Sequence, residues 1–138
     1  MNSNEESLKS LFKYLDKNKD NKLSKEELEL ALNEAKKIIS SDPVVVFSKT
    51  YCGYCSSVKE LLTRLGARYK VIELDQKSDG DKIQSALAEW TGQTTVPNVF
   101  IGGKHIGGCD AVTEKHRRGQ LIPLLTEAGA IASNSAQL

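Results

Sequence analysis

Val44-Val45-Val46-Phe47-Ser48-Lys49-Thr50-Tyr51-Cys52-Gly53-Tyr54-Cys55 is the stretch that decides how this chain folds. Its β-branched and aromatic start reads as a buried strand. After Cys55 the apolar residues are Val58, Leu61, Leu62 and Leu65, a helical stripe that Gly66 can stop. Cys52 is therefore expected where a strand ends and a helix begins. Unpaired backbone N–H groups and the helix dipole favour an anion there, and a thiolate is an anion. Lys49 adds positive charge from three residues upstream. Such a cysteine is expected to have a lowered pKa and to be nucleophilic near neutral pH. Cys55, one helical turn on, is close enough to form a disulfide with it.

Downstream, Tyr69–Leu74 alternates as a strand, and Ser78-Asp79-Gly80-Asp81 reads as a helix start. Ile83, Leu87 and Trp90 are expected to form the buried stripe of that helix, which ends near Gly92. Thr95–Ile101 reads as a strand opened by Pro97. Gly102-Gly103 suits a two-residue hairpin turn, with Lys104-His105-Ile106 returning beside it. Asp110 is the expected N-cap of a helix through Arg117, and a last helix lies around Gln120–Ala128 with Pro123 in its first turn. The tail 133–138 is small and polar. Strands joined through a helix are parallel, and a hairpin adds an antiparallel strand. The expected core is a mixed four-stranded sheet flanked by helices, an α/β fold.

Upstream, Leu8, Leu11, Phe12 and Leu15 share a helical face, and so do Leu28, Ala31, Leu32, Ala35, Ile38 and Ile39. Ser24 is a candidate N-cap for the second of these helices, with Glu27 completing a capping box. The polar segment Asp16–Glu27 lies between them. No flexible linker precedes Pro43, so the second helix is expected to run on into the strand-bearing domain.

The totals exclude several classes. The chain has 138 residues, 39% hydrophobic and 27% charged, with a net charge of +1. That balance gives no reason to invoke nucleic acid or a membrane surface. No apolar stretch reaches spanning length, and the acidic start Met1–Glu6 reads as neither a secretory signal nor a transit peptide. Three cysteines with one close pair suggest a reducing compartment, with the cytoplasm as the expected location.

A Cys-x-x-Cys pair reads as half a zinc site or as a redox dithiol. Zinc needs further ligands, and only His105, Cys109 and His116 offer themselves, without a second short-spaced pair. The strand–Cys-x-x-Cys–helix placement favours redox chemistry. Here the chain resembles the glutaredoxins over about residues 31–132. The matching stretches are Val44–Cys55, Trp90-Thr91-Gly92-Gln93, Thr95–Gly103 and Ile106–Asp110. The similarity is to plant-type, class I dithiol members with Cys-Gly-Tyr-Cys.

The resemblance implies a thioredoxin fold with Pro97 cis and facing the thiols. It implies a glutathione-disulfide oxidoreductase in which Cys52 is the nucleophile and Cys55 the second thiol. Lys49 and Gln93 would bind the glycine carboxylate of glutathione, and Tyr54 would lie along the tripeptide. The Val96 backbone, beside Pro97, would pair with its cysteine. Gly108, Cys109 and Asp110 would hold the γ-glutamyl end. Partners would be glutathione and glutathionylated or disulfide-containing proteins. Gly53 departs from the commoner proline. Members with glycine resemble those that hold a [2Fe-2S] cluster between two protomers through the first cysteine, here Cys52, with Gly53 expected to relieve crowding beside it.

The N-terminal helix–loop–helix, residues 1–38, resembles an EF-hand. That resemblance implies calcium held by Asp16, Asn18, Asp20, the Lys22 carbonyl, Ser24 and Glu27. Asn21 stands where the motif has glycine. The plain alternative is a polar turn. Three readings follow: a glutathione-dependent enzyme, a cluster-bridged homodimer for storage or transfer, and an enzyme modulated by calcium, with dimerisation through the hand also open.

Overall fold

The computed structural model describes residues 23–132, and its first element is a helix opened by Ser24. Ser24 Oγ accepts the Glu27 N–H while the Ser24 N–H donates to Glu27 Oε1, both at 3.0 Å. This reciprocal cap satisfies two donors that a helix start otherwise leaves open. The helix, α1 (Lys25–Ser41), buries Leu28, Ala31, Ala35 and Ile39, spaced for one face. Asp42 is its C-cap, and Pro43 leads into β1 (Val44–Ser48). Of the candidate calcium ligands, Asp16, Asn18, Asp20 and Lys22 lie outside the described residues.

Every residue of β1 is buried, because the strand is central and covered on both faces. The four-stranded sheet has the order β2-β1-β3-β4. β2 (Lys70–Glu73) runs parallel to β1, while β3 (Asn98–Ile101) is antiparallel to β1 and β4 (Lys104–Gly107) is antiparallel to β3. Alternation along β1 sorts the core into two layers. Val44 and Val46 join Val58, Leu61 and Leu62 of α2 (Gly53–Arg64), Val112 of α4 (Cys109–Arg117), and Leu121 and Leu125 of α5 (Leu121–Glu127). Val45 and Phe47 join Ala35 and Ile39 of α1, and Ile83 and Leu87 of α3 (Gly80–Thr91). This is a thioredoxin fold, as the family resemblance implies. No helix among the described residues is long and apolar enough to cross a membrane.

Several expectations need correction. β2 stops at Glu73, and Leu74 turns inward to start a 3-10 turn (Leu74–Gln76). β3 begins at Asn98 rather than Thr95, since Pro97 has no N–H for a ladder. Gly108, in extended conformation, is the N-cap of α4, which puts Asp110 inside the first turn. Trp90 is 41% exposed rather than buried with Ile83 and Leu87. One face of its indole stacks on Phe100 at 5.7 Å, and the Lys36 ammonium lies 4.9 Å from the ring centroid.

Candidate active site

Cys52 is the N-cap of α2, at the C-terminal edge of the sheet. The Cys52 N–H bonds back to the Lys49 carbonyl at 3.1 Å, closing the turn between strand and helix. The Cys55 N–H in turn donates to Cys52 Sγ at 3.1 Å. The sulfur thus takes the place that a serine or aspartate oxygen holds in an ordinary cap. Cys52 is half-buried and Cys55 fully buried. Burial, and then the hydrogen bond to Cys52, push the Cys55 thiol up to about 11. The two thiols differ because the helix turns one outward and one into the core.

The loop before Cys52 is clamped from outside. Asp75 accepts the Thr50 N–H at 3.0 Å and the Thr50 hydroxyl at 2.5 Å. These bonds hold the Asp75 carboxyl below its usual range. Asp75 was not legible as a site residue. The signal that points to it is topological: β1 and β2 are parallel, so residues just past both strands meet at one edge.

Opposite the thiols, the Val96–Pro97 peptide is cis. The Val96 carbonyl faces Cys52 Sγ at 3.8 Å. Beyond it runs an open groove of about 570 Å³ lined by Tyr54, Gln93, Thr95, Val96, Pro97, Gly108, Cys109, Asp110 and Ala111. That volume suits a small peptide-sized ligand. Seven residues expected from the resemblance therefore share one groove. Lys49 is not among its lining; it is half-buried at the end of β1. Cys109 Sγ lies 3.9 Å from Thr113 Oγ1, and no partner gives it a catalytic setting.

Gln93 does not stand as expected. Its amide nitrogen donates to the Thr95 carbonyl at 3.0 Å and to the Pro97 carbonyl at 2.8 Å. A side-chain amide has two hydrogens, so neither is left for a ligand carboxylate. Gln84 holds the same segment from α3, donating to the Thr94 carbonyl at 2.8 Å.

A family model described as Glutaredoxin matches residues 44–106. The Arabidopsis thaliana protein named Glutaredoxin-C1 is 70% identical over 118 residues, which cover 86% of this chain and 94% of that one. The chain belongs to the glutaredoxin family. A Ricinus communis glutaredoxin is 71% identical over 102 residues, covering 74% of this chain and 100% of its own. The crystal structure of a buckwheat glutaredoxin–glutathione complex has a TM-score of 0.79 at 68% identity, covering 80% of this chain and 100% of that one. An EF-hand domain model matches residues 7–38. As a plant-type glutaredoxin, the protein is a glutathione-dependent disulfide oxidoreductase.

Two metal groups can be tested against this glutaredoxin. Among the described residues no three His, Cys, Asp or Glu side chains group as a metal site. A [2Fe-2S] cluster would have Cys52 alone from each chain, with other thiolates supplied from outside it. Beyond its chain neighbours and its own helix backbone, a Cβ built on Gly53 meets nothing within 4 Å among the described residues. For calcium, Ser24 and Glu27 adjoin at the start of α1, as the last two ligand positions of an EF-hand loop would. The Glu27 carboxylate, however, also accepts from Lys82 at 3.2 Å.

Proposed function

We propose that this glutaredoxin reduces glutathione mixed disulfides and protein disulfides through Cys52. The observation that carries the reading is the Cys52 sulfur, accessible at a helix start, taking the Cys55 N–H and adjoining the Val96 carbonyl and the groove.

In the first step the Cys52 sulfur attacks the glutathione sulfur of a glutathionylated protein. One S–S bond forms and one breaks, and the target leaves as a thiolate. Cys52 now carries glutathione. A second glutathione attacks that mixed disulfide, releasing oxidised glutathione and returning the Cys52 thiol. On a protein disulfide, Cys52 forms a mixed disulfide with the target and Cys55 resolves it, leaving Cys52–Cys55 oxidised; two glutathiones then reduce that bond.

The tripeptide would lie in the groove with its cysteine against the Val96 backbone and Tyr54 along its length. The first N–H groups of α4, from Cys109 and Asp110 after Gly108, suit its α-carboxylate, and the Asp110 carboxylate suits its ammonium. Lys49 supplies a cation for the glycine carboxylate. We place the protein in the cytoplasm, whose glutathione pool suits this chemistry.

The test is turnover of a glutathione mixed disulfide. Cys52→Ser abolishes it, and Cys55→Ser keeps much of it while losing protein-disulfide reduction. Equal loss from both would overturn the division of labour.

A second reading, a [2Fe-2S]-bridged homodimer, draws on the same half-buried sulfur between Tyr51 and Tyr54, which are 75% and 69% exposed. Protein reconstituted anaerobically with iron, sulfide and glutathione is then coloured and dimeric; a colourless monomer counts against it.

A further inference from the structure

Gln93 and His105 are tied to each other and to the peptide beside the thiol. The Gln93 amide nitrogen sits between the Thr95 and Pro97 carbonyls at 3.0 and 2.8 Å. Carbonyls only accept, so the nitrogen must face them and Oε1 must face away. Oε1 meets His105 Nε2 at 3.2 Å. An amide oxygen also only accepts, so Nε2 carries the proton and donates. His105 is exposed at one edge, yet partial desolvation lowers its imidazole pKa, which favours the neutral ring at neutral pH. The ring itself is placed by the hairpin. His105 pairs with Phe100 across β3 and β4, with ring centroids 5.2 Å apart. Phe100 is locked between Phe47, edge-on at 5.9 Å, and the stacked Trp90.

What this linkage holds is the Val96 peptide. The Thr95 carbonyl and the Val96 N–H belong to one planar unit, so fixing the first aims the second. The Pro97 carbonyl is fixed from the same nitrogen on the other side. Val96 is thereby restrained at both flanks, with its own carbonyl 3.8 Å from Cys52 Sγ.

We infer that Gln93 and His105 form a brace that presets the Val96 backbone for glutathione, with His105 as a positioning residue that never touches the ligand. The inference rests on the proposed binding of glutathione along Val96. Gln93 then serves recognition from behind the peptide rather than by contact with the glycine carboxylate.

The test compares His105→Phe, which keeps a ring on Phe100 but loses the donor, with His105→Gln, which restores an N–H at about the position of Nε2. His105→Phe should raise the KM for a glutathione mixed disulfide roughly three- to tenfold, the worth of one hydrogen bond, with kcat within about twofold. In the same variant the Gln93 side-chain NH₂ signals lose their protection from hydrogen exchange in NMR spectra. His105→Gln should recover both. Gln93→Met, cutting the brace at its other end, should raise KM to the same degree in case His105→Phe fails to fold. Unchanged KM and unchanged Gln93 protection in His105→Phe would overturn the brace. Equal losses in the Phe and Gln variants would overturn it too, since ring packing alone would then explain them. Wild-type protein without Cys52-dependent turnover would sink the proposed function instead, while the exchange measurement would still judge the brace.

Discussion

Cys52 and Cys55 are three residues apart and have different chemistry because of where their side chains point. Cys55 packs in the core, and its thiol is raised from an ordinary 9.0 to about 11. Two pKa units cut the thiolate fraction at a given pH by about a hundredfold. Thiolate is the reacting form, so Cys55 is expected to resist alkylation throughout the neutral range. The shift also fixes the sign of the pH effect: reactivity at Cys55 rises only as pH climbs toward 11. Peptide mass mapping of reduced protein after brief iodoacetamide treatment at pH 7 should find label at Cys52 and little at Cys55. Comparable labelling of both in folded protein would contradict the burial argument.

At the scale of elements, Gly80 shows how tightly α3 meets the strand end. A Cβ there would lie 1.8 Å from the Leu74 carbonyl oxygen and 2.7 Å from its carbon. Both are backbone atoms, so the 3-10 turn or the helix start must move. Gly80→Ala should cost about 1–3 kcal/mol in denaturant unfolding, the usual range for overpacking. Gly53→Ala should stay within about 0.5 kcal/mol, as for open surface sites, since its Cβ meets nothing within 4 Å. Equal stability of the two variants would refute the contact. Elements whose cause is local were legible in the sequence. The β-branched run made β1, the Leu stripe made α2, and Gly102-Gly103, with φ of 60° and 81°, made the hairpin. Cys52 at the junction followed from those neighbours. What the sequence hid was set through space. Asp75 reaches Thr50 only because two strands are parallel, and His105 reaches Gln93 only through the hairpin register. Asp110 looked like a cap because capping signals name polar side chains, whereas Gly108 caps by extended backbone alone.

At the scale of the whole molecule, α1 serves two purposes. Its C-terminal half packs Ala35 and Ile39 against the sheet, and its first turn carries Ser24 and Glu27. From α3, Lys82 bonds the Glu27 carboxylate at 3.2 Å, and Gln84 bonds the Thr94 carbonyl at 2.8 Å beside the cis-Pro segment. One helix thus joins the end of the EF-hand segment to the active-site edge. We propose that calcium binding by the hand modulates the enzyme along this line. A bidentate Glu27 would engage calcium through the two oxygens that accept the Ser24 N–H and Lys82, so Lys82 competes with calcium for the same carboxylate. The ion pair is well exposed, with side chains 45% and 42% accessible, so solvent screening leaves it weak. Lys82→Gln should therefore tighten calcium binding by no more than about fivefold in calorimetric titration, and Glu27→Gln should remove it. Chelator added to the wild-type protein should leave Cys52 turnover intact but change its KM, because the linkage ends at the Thr94 carbonyl, on the segment leading to Val96, rather than at the sulfur. Absence of any calcium heat would reject the hand as a metal site. A normal calcium isotherm with an unmoved KM would leave the two halves of the chain energetically separate, and the shared helix would then be a packing element alone.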